Sequence, residues 1–195
     1  MNSADVAALP AVFSYAQARR AGLSQRRIYA LRDRGLLEVL ARGMYRRNDI
    51  ELDGDPDLLE IAIRAPHATV CLASSLARHG LTDELPRAVD VAIPRGTRRP
   101  STAAPVRWHA FDPSTFEVGR IILTLGAGTR VGLYGPERSI IDAFRLRHRE
   151  GADLANNALK AWLRQPDASP AALVRMADDF PKALPALRAA LEILL

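Results

Sequence analysis

The sequence predicts an α+β protein, in which an N-terminal winged helix-turn-helix precedes a mixed domain with a small β-sheet and a helical C-terminal half. Two short helical segments with capping residues lie close together near the N-terminus, and two strand-like segments follow them. Apolar residues alternate with polar ones in several segments between residues 89 and 134, which is strand periodicity. From residue 137 onward, glycine and proline separate helical segments. Residues 6–9 are compatible with a short leading helix.

The segment 24–35 is the predicted recognition helix. Ser24 is suited to cap its N-terminus, and Gly35 is suited to end it with a left-handed residue. At 100° per residue, Ile28 and Leu31 share one narrow apolar face. The opposite face carries polar, charged and aromatic side chains, so one side can pack while the other stays open to a partner.

A first helix and a β-hairpin flank this segment. Residues 15–21 follow a capping box made by Ser14 and Gln17, and the connector 22–24 has the length of a tight helix-turn-helix turn. Residues 36–40 and 44–47 are predicted strands around a glycine-containing turn. Helix, turn, helix and hairpin together make a winged helix.

The basic charge of the chain is concentrated in the same region. Residues 1–50 hold nine arginines and four acidic residues, so their net charge of +5 equals that of the whole chain and the remaining 145 residues are neutral. A confined basic excess is typical of a nucleic-acid-binding module, because cationic side chains neutralise phosphates and release counterions. The alternative is a surface helix whose arginines are only solvated.

An α-helix of this size fits the major groove of B-DNA, and its N-terminal residues usually approach the base edges. Gln25, Arg26 and Tyr29 are therefore the candidates for base contacts. Arg42 is expected at the wing tip, near phosphate or the minor groove. Asp33 on the outer face would repel phosphate unless a neighbouring arginine engages it. The predicted DNA-binding residues are Gln25, Arg26, Arg27, Tyr29, Arg34, Arg42, Arg46 and Arg47, the last two as contacts to the DNA backbone.

Two domains are predicted, residues 1–50 and residues 55–195. The acidic segment 49–57 contains Gly54 and Pro56 and is a suitable linker into a helix capped by Asp55. The loop at residues 95–99 is basic; it is either a second phosphate contact or site for an acidic partner, made by Arg95, Arg98 and Arg99, or a solvated loop.

Composition limits the other classes. A hydrophobic fraction of 48% with 25% charged residues is typical of a globular protein. Cys71 is the only cysteine, which excludes an internal disulfide and favours a reducing cytoplasm. No apolar run approaches the length of a membrane span, so we expect no membrane partner and a cytoplasmic location.

Four sets of motifs occur in order along the chain: residues 13–24, the wing turn 42–45, residues 73–76 with 79–82, and residues 136–143. With these motifs the sequence resembles the AbiEi-type antitoxins of bacterial type IV toxin–antitoxin operons over nearly its whole length. The resemblance implies a winged helix that binds inverted repeats in the promoter of its own operon and represses it. It also implies that residues 55–195 form an AbiEi-like domain that opposes a nucleotidyltransferase-like toxin, without requiring direct binding of that toxin.

The side chains that could act in catalysis or metal binding form no convincing site. We therefore expect that the protein is not an enzyme and has no cofactor and no metal site. His67, His79, His109 and His148 lie on separate predicted elements without the spacing of a helical metal pair. Glu137, Ser139 and Asp142 are better explained as structural groups near a helix start.

Two alternatives remain open. One is a metal-dependent nuclease with a winged-helix targeting domain. Asp90 lies on a predicted strand, but the second acid and the lysine that such a site needs are absent from the following residues. The other is an adaptor whose C-terminal domain binds a protein.

Overall fold

The computed structural model describes residues 9–50, 55–84 and 86–195. Most of the leading helix considered for residues 6–9 and the centre of the predicted linker lie outside these ranges. The chain divides into two compact units. Unit 1 comprises Met1–His67, Pro100–Pro105 and Leu123–Val131, and unit 2 comprises Ala68–Arg99, Val106–Ile122 and Gly132–Leu195.

The winged helix predicted from the sequence is confirmed in unit 1. Its elements are β1 (Val12–Ser14), α1 (Tyr15–Arg20), α2 (Gln25–Asp33), β2 (Leu37–Ala41) and β3 (Met44–Arg47). The three strands form an antiparallel sheet in the order β1-β3-β2. Strand β1 was not predicted, because three residues are too few to show alternation. Phe13, Ala18, Ile28, Leu31 and Leu37 belong to one buried core cluster that joins the helices to the sheet.

Local signals in the sequence set the ends of both helices. The Ser14 hydroxyl accepts a hydrogen bond from the backbone N–H of Gln17 at 3.2 Å, and the Gln17 side chain accepts one from the Ser14 N–H at 2.7 Å. The hydroxyl of Ser24 accepts one from the Arg27 N–H at 3.2 Å. Gly35 has a φ of +70°, as expected for a glycine that ends a helix. The two ends of α2 are therefore set by the local sequence.

Unit 1 continues past the predicted domain boundary into helix α3 (Pro56–Arg64). The Asp55 carboxylate caps this helix, as predicted. Leu59 joins Val12 and Met44 in a second buried cluster. The contacts of α3 thus place it with the winged helix, whereas the predicted division put it in the second domain.

A five-stranded mixed sheet and a set of helices follow. The strands are β4 (Thr69–Val70), β5 (Val89–Pro94), β6 (Val106–Phe111), β7 (Arg120–Thr124) and β8 (Arg130–Tyr134), in the order β6-β5-β4-β8-β7. β4 is antiparallel to β5 and parallel to β8, and β5 is parallel to β6. The helices are α4 (Leu72–Arg78), α5 (Pro136–Arg145), α6 (Arg147–Glu150), α7 (Ala152–Trp162), α8 (Pro170–Ala177) and α9 (Leu184–Leu194). Ile140, Phe144, Leu159, Trp162 and Leu187 belong to the main core cluster of this part.

This arrangement agrees with the predicted α+β class, with the sheet before the helices. Within the described ranges, the helices are too short or too polar to cross a lipid bilayer.

Candidate nucleic-acid interface

Helix α2 presents the face that the sequence predicted. Ile28 and Leu31 are buried, whereas Gln25, Arg26 and Tyr29 are exposed. The outer face forms a shallow depression lined by Ser24, Gln25, Arg26, Tyr29, Ala30 and Asp33. The helix therefore packs on one side and leaves its N-terminal half accessible on the other, as a recognition helix must.

Tyr29 is held in place by two neighbours on the same helix. The Gln25 Nε2 donates to the Tyr29 hydroxyl at 3.1 Å. The guanidinium carbon of Arg32 lies 5.0 Å from the centre of the Tyr29 ring, within the range of a cation–π contact. Arg32 also pairs with Asp33 at 2.6 Å. A neighbouring arginine thus engages the acidic side chain that would otherwise repel phosphate.

The wing turn is anchored through its backbone. The Arg42 carbonyl accepts a hydrogen bond from Arg64 Nη2 at 2.6 Å, while the Arg42 side chain is exposed. Arg64 Nε in turn donates to the Glu60 carboxylate at 2.6 Å. The carboxylate also accepts from the backbone N–H groups of Ala103, at 3.0 Å to each oxygen, and of Ala104, at 2.7 Å. Burial raises the pKa of Glu60, but these hydrogen bonds outweigh burial and leave the pKa below its ordinary value.

The sequence analysis did not identify Glu60 and Arg64 as residues that anchor the wing turn. Their spacing of four residues on a helix is a signal for an ion pair, and the structure confirms that pair. The contact to the wing could not be read from the sequence, because Arg64 and Arg42 are 22 residues apart.

A groove of about 770 Å³ joins the N-terminal end of α2 to the wing turn. Gln25 and Tyr29 line it from the helix, and Arg42 lines it from the wing. The remaining lining residues are Tyr15, Gly43, Tyr45, Arg64, Ser101, Thr102 and Ala103. Three predicted contact residues from two different elements thus share one concave surface.

Arg46 and Arg47 depart from the expectation that they contact the DNA backbone. Arg47 is only 9% exposed, and it donates to the Leu9 carbonyl at 2.9 Å and to the Asp49 carboxylate at 2.9 and 2.5 Å. Arg46 forms a cross-strand ion pair with Glu38, the residue opposite it in the sheet. Both guanidinium groups have partners within unit 1. Arg47 is therefore not a proposed DNA contact, and Arg46 stabilises the sheet through its ion pair with Glu38.

The other predicted basic residues are at or near the surface. Arg34, at the end of α2, is exposed, and Arg27 is half-buried. Arg95, Arg98 and Arg99 are all exposed in the loop that follows β5 in unit 2.

Asp90, the acid considered for a nuclease, lies in a buried polar network. Its Oδ1 accepts from Arg107 Nε at 2.5 Å and from His109 Nε2 at 2.8 Å. Burial raises the pKa of Asp90, but the hydrogen bonds from His109 and Arg107 outweigh burial and lower the pKa below its ordinary value. In the part of the chain that the structure describes, no three His, Cys, Asp or Glu side chains form a group that could hold a metal ion.

The residues near the start of α5 also have structural partners. Asp142 is buried and pairs with Arg138 at 3.0 Å and with Arg145 at 2.8 Å. Ser139 shares a hydrogen bond of 2.6 Å with Ser75. His79 is the C-cap of α4, and its Nε2 lies 2.8 Å from the Tyr134 carbonyl oxygen. These contacts join α4 and α5 to the end of β8 and favour the structural interpretation of the cluster.

Comparisons with known proteins bear on the winged helix in the N-terminal region. Residues 6–48 match the family model described as "Transcriptional regulator, AbiEi antitoxin". A comparison with curated proteins found no match. Among solved structures, the RV2827C protein from Mycobacterium tuberculosis has a similar fold, with a TM-score of 0.58 and 16% sequence identity over 96% of this chain and 75% of that chain. At this identity the structural likeness concerns the fold alone. The match over residues 6–48 agrees with the resemblance found from the N-terminal motifs: this part of the chain is similar to the AbiEi antitoxin family of transcriptional regulators.

Proposed function

We propose that this protein is a sequence-specific DNA-binding antitoxin that represses its own toxin–antitoxin operon. In the proposed complex, α2 enters the major groove of an inverted repeat in the promoter, and Gln25, Arg26 and Tyr29 approach the base edges. Arg42 contacts phosphate or the minor groove from the wing. The observation that carries the proposal is the single groove lined by the exposed end of α2 and the wing turn.

Three physical features support DNA as the ligand of this groove. The net positive charge of the chain resides in residues 1–50. The Asp33 carboxylate is neutralised by Arg32, so the outer face of α2 does not repel phosphate strongly. The backbone of the wing turn is fixed by the contacts of Arg64 and Glu60, so little backbone freedom is lost when Arg42 contacts DNA.

The antitoxin part of the proposal concerns opposition to a nucleotidyltransferase-like toxin encoded in the same operon. It is supported by the description of the family that residues 6–48 match. We do not include a stable complex with the toxin, because the family resemblance does not imply one.

The direct test is fluorescence anisotropy of the full chain with a labelled duplex from upstream of its own gene. We expect binding to this duplex at physiological salt to be at least about 1,000-fold tighter than to a shuffled duplex of equal length. Equal affinity for both would contradict sequence-specific repression. For the antitoxin role, the neighbouring gene would be expressed with and without the full chain; growth inhibition that the full chain does not relieve would contradict it.

A further inference from the structure

Unit 2 contains a cavity of about 440 Å³ beside strand β6. β6 is an edge strand of the sheet, and residues 108–111 form one wall. The loop after β5, the end of α5, the short helix α6 and Lys182 supply the other walls. Five lining residues are cationic and none is acidic; the cationic residues are Arg95, Arg99, Arg145, Arg149 and Lys182.

Most of this positive charge is uncompensated. Arg95 lies 4.0 Å from Asp112, but both side chains are half or more exposed, so the pair is weak. Arg99, Arg149 and Lys182 have no ion pair within the described part of the chain. Cations gathered around one cavity repel one another, and an anionic ligand would relieve that repulsion.

Arg145 adds positive charge to the wall of the cavity. Its guanidinium carbon lies 4.3 Å from the centre of the Phe111 ring, which fixes the orientation of the group. Its Nη2 makes an ion pair with Asp142 at 2.8 Å. Because the Asp142 carboxylate also pairs with Arg138, the positive charge of Arg145 is only partly compensated and adds to that of the cavity.

The aromatic residue in the wall of the cavity indicates which chemical group is attached to the anion. Trp108 is one of the residues that line the cavity, and it is half-buried. Nucleic-acid bases stack on such rings, and arginine groups bind phosphate oxygens. The volume falls within the range of about 300–1,000 Å³ that is usual for pockets holding small ligands. A cationic cavity with one aromatic side is therefore suited to a phosphate group joined to a flat ring.

We propose that this cavity binds a nucleotide through its phosphates, with Trp108 stacking on the base. Arg99, Arg149 and Lys182 neutralise the phosphate charge, and Arg145 adds to the positive potential of the cavity. The nucleotide is either free, as a nucleoside triphosphate, or the phosphorylated end of a single strand. The site shares no residue with the proposed DNA groove, so either proposal can fail without the other.

The test is isothermal titration calorimetry of the full chain with the four ribonucleoside triphosphates, with inorganic triphosphate and with a 5′-phosphorylated single-stranded tetranucleotide. Arg149→Gln and Lys182→Gln are each expected to weaken binding by about tenfold. Arg164→Gln and Lys160→Gln are matched controls, because both residues are exposed and neither lines the cavity; the affinity of these variants for the nucleotide probes should stay within about twofold of the wild type.

Trp108→Leu distinguishes the contribution of base stacking from that of the phosphate contacts. This variant should lose about tenfold in affinity for nucleoside triphosphates and keep its affinity for inorganic triphosphate. Tight binding of the free triphosphates identifies a free nucleotide as the ligand, and selective binding of the tetranucleotide identifies a strand end; both results support the site. Absence of binding by both nucleotide probes, or equal losses in the cavity variants and the two controls, would overturn it.

Discussion

Helices α2 and α5 both contain arginines, but the environments of these arginines are opposite. Arg26 on α2 is exposed, whereas Arg138 on α5 is completely buried. Arg138 donates to Asp142 at 3.0 Å and to the carbonyl groups of Thr115 and Val118 at 2.7 and 2.5 Å. Its guanidinium carbon also lies 4.2 Å from the Tyr134 ring centre and 4.3 Å from that of Phe180. Arginine is thus an exposed charge on α2 and part of a buried polar network on α5.

This contrast shows that an arginine count measures the charge of a segment but not the role of each side chain. The planar guanidinium group can bond to several acceptors and stack on rings at once, which makes it suitable for a buried position. Arg26 on the outer face of α2 is exposed, so its charge remains accessible to solvent. The two helices should therefore respond differently to loss of an arginine.

The largest expected effect is on α5. Arg138→Met removes the partner of a buried carboxylate and should lower the free energy of unfolding by about 4 kcal/mol. Denaturant unfolding of the full chain would measure this loss. Operator affinity per folded molecule should not change, and a large affinity loss without destabilisation would contradict the structural role of Arg138.

A smaller loss of stability is expected for Asp90→Asn, by about 2 kcal/mol, because two charge-assisted hydrogen bonds weaken. The effect should depend on pH. The pKa of Asp90 in the folded protein lies below its ordinary value of 3.8, so its stabilising contribution is complete above that pH and is lost as the pH falls through the lower folded value. The difference in unfolding free energy between the wild type and the variant should be constant from about pH 5 to 7 and should shrink below about pH 4. A difference that grew in acid would show that the ionised form of Asp90 is not the stabilising one.

Substitutions on the outer face of α2 should change specificity and leave stability nearly unaltered. Arg26→Ala and Tyr29→Ala should each weaken binding to the operator by roughly 1–3 kcal/mol, with a smaller loss on shuffled DNA. Anisotropy titrations of both duplexes would measure the difference. Arg164→Ala is the control, because Arg164 is exposed in unit 2. Equal losses on the two duplexes would show that these side chains do not read bases.

The smallest expected effect is at the wing. Arg42→Ala should lower the affinity for any duplex by about 1 kcal/mol and reduce the slope of log affinity against log salt by about 0.9, the value for one phosphate contact. Arg47→Met is the comparison, since Arg47 is nearly buried and paired with Asp49. It should reduce stability and leave the salt slope unchanged. A change of slope in Arg47→Met but not in Arg42→Ala would reverse the assignment of these two residues.

Much of the N-terminal module was predictable because its signals are local. Ser14, Ser24 and Gly35 act on backbone groups within a few residues of themselves, so their effect is visible in the sequence. The apolar face of α2 follows from the helical period alone. The engagement of Arg47 was not predictable, because one of its acceptors is the carbonyl of Leu9, 38 residues away.

The basic cavity of unit 2 illustrates the same limit. Arg95 and Arg99 were visible as part of a basic loop, but Arg145, Arg149 and Lys182 come from distant segments. Only the packing of the helices against the sheet brings these cations together around Trp108. No pattern along the chain indicates that convergence, because sequence periodicity reports which face of an element is apolar and not which element lies opposite.

The amino-acid sequence by itself determined the winged helix, the apolar face of α2 and the confinement of positive charge to the first fifty residues. Capping, helical period and net charge act over a few residues or do not depend on geometry at all. The tertiary structure alone decided which arginines pair with groups of the protein itself, how the wing turn is anchored and where the cations of the second unit come together. Those outcomes depend on contacts between residues far apart in the chain, whose positions are set only when the core closes.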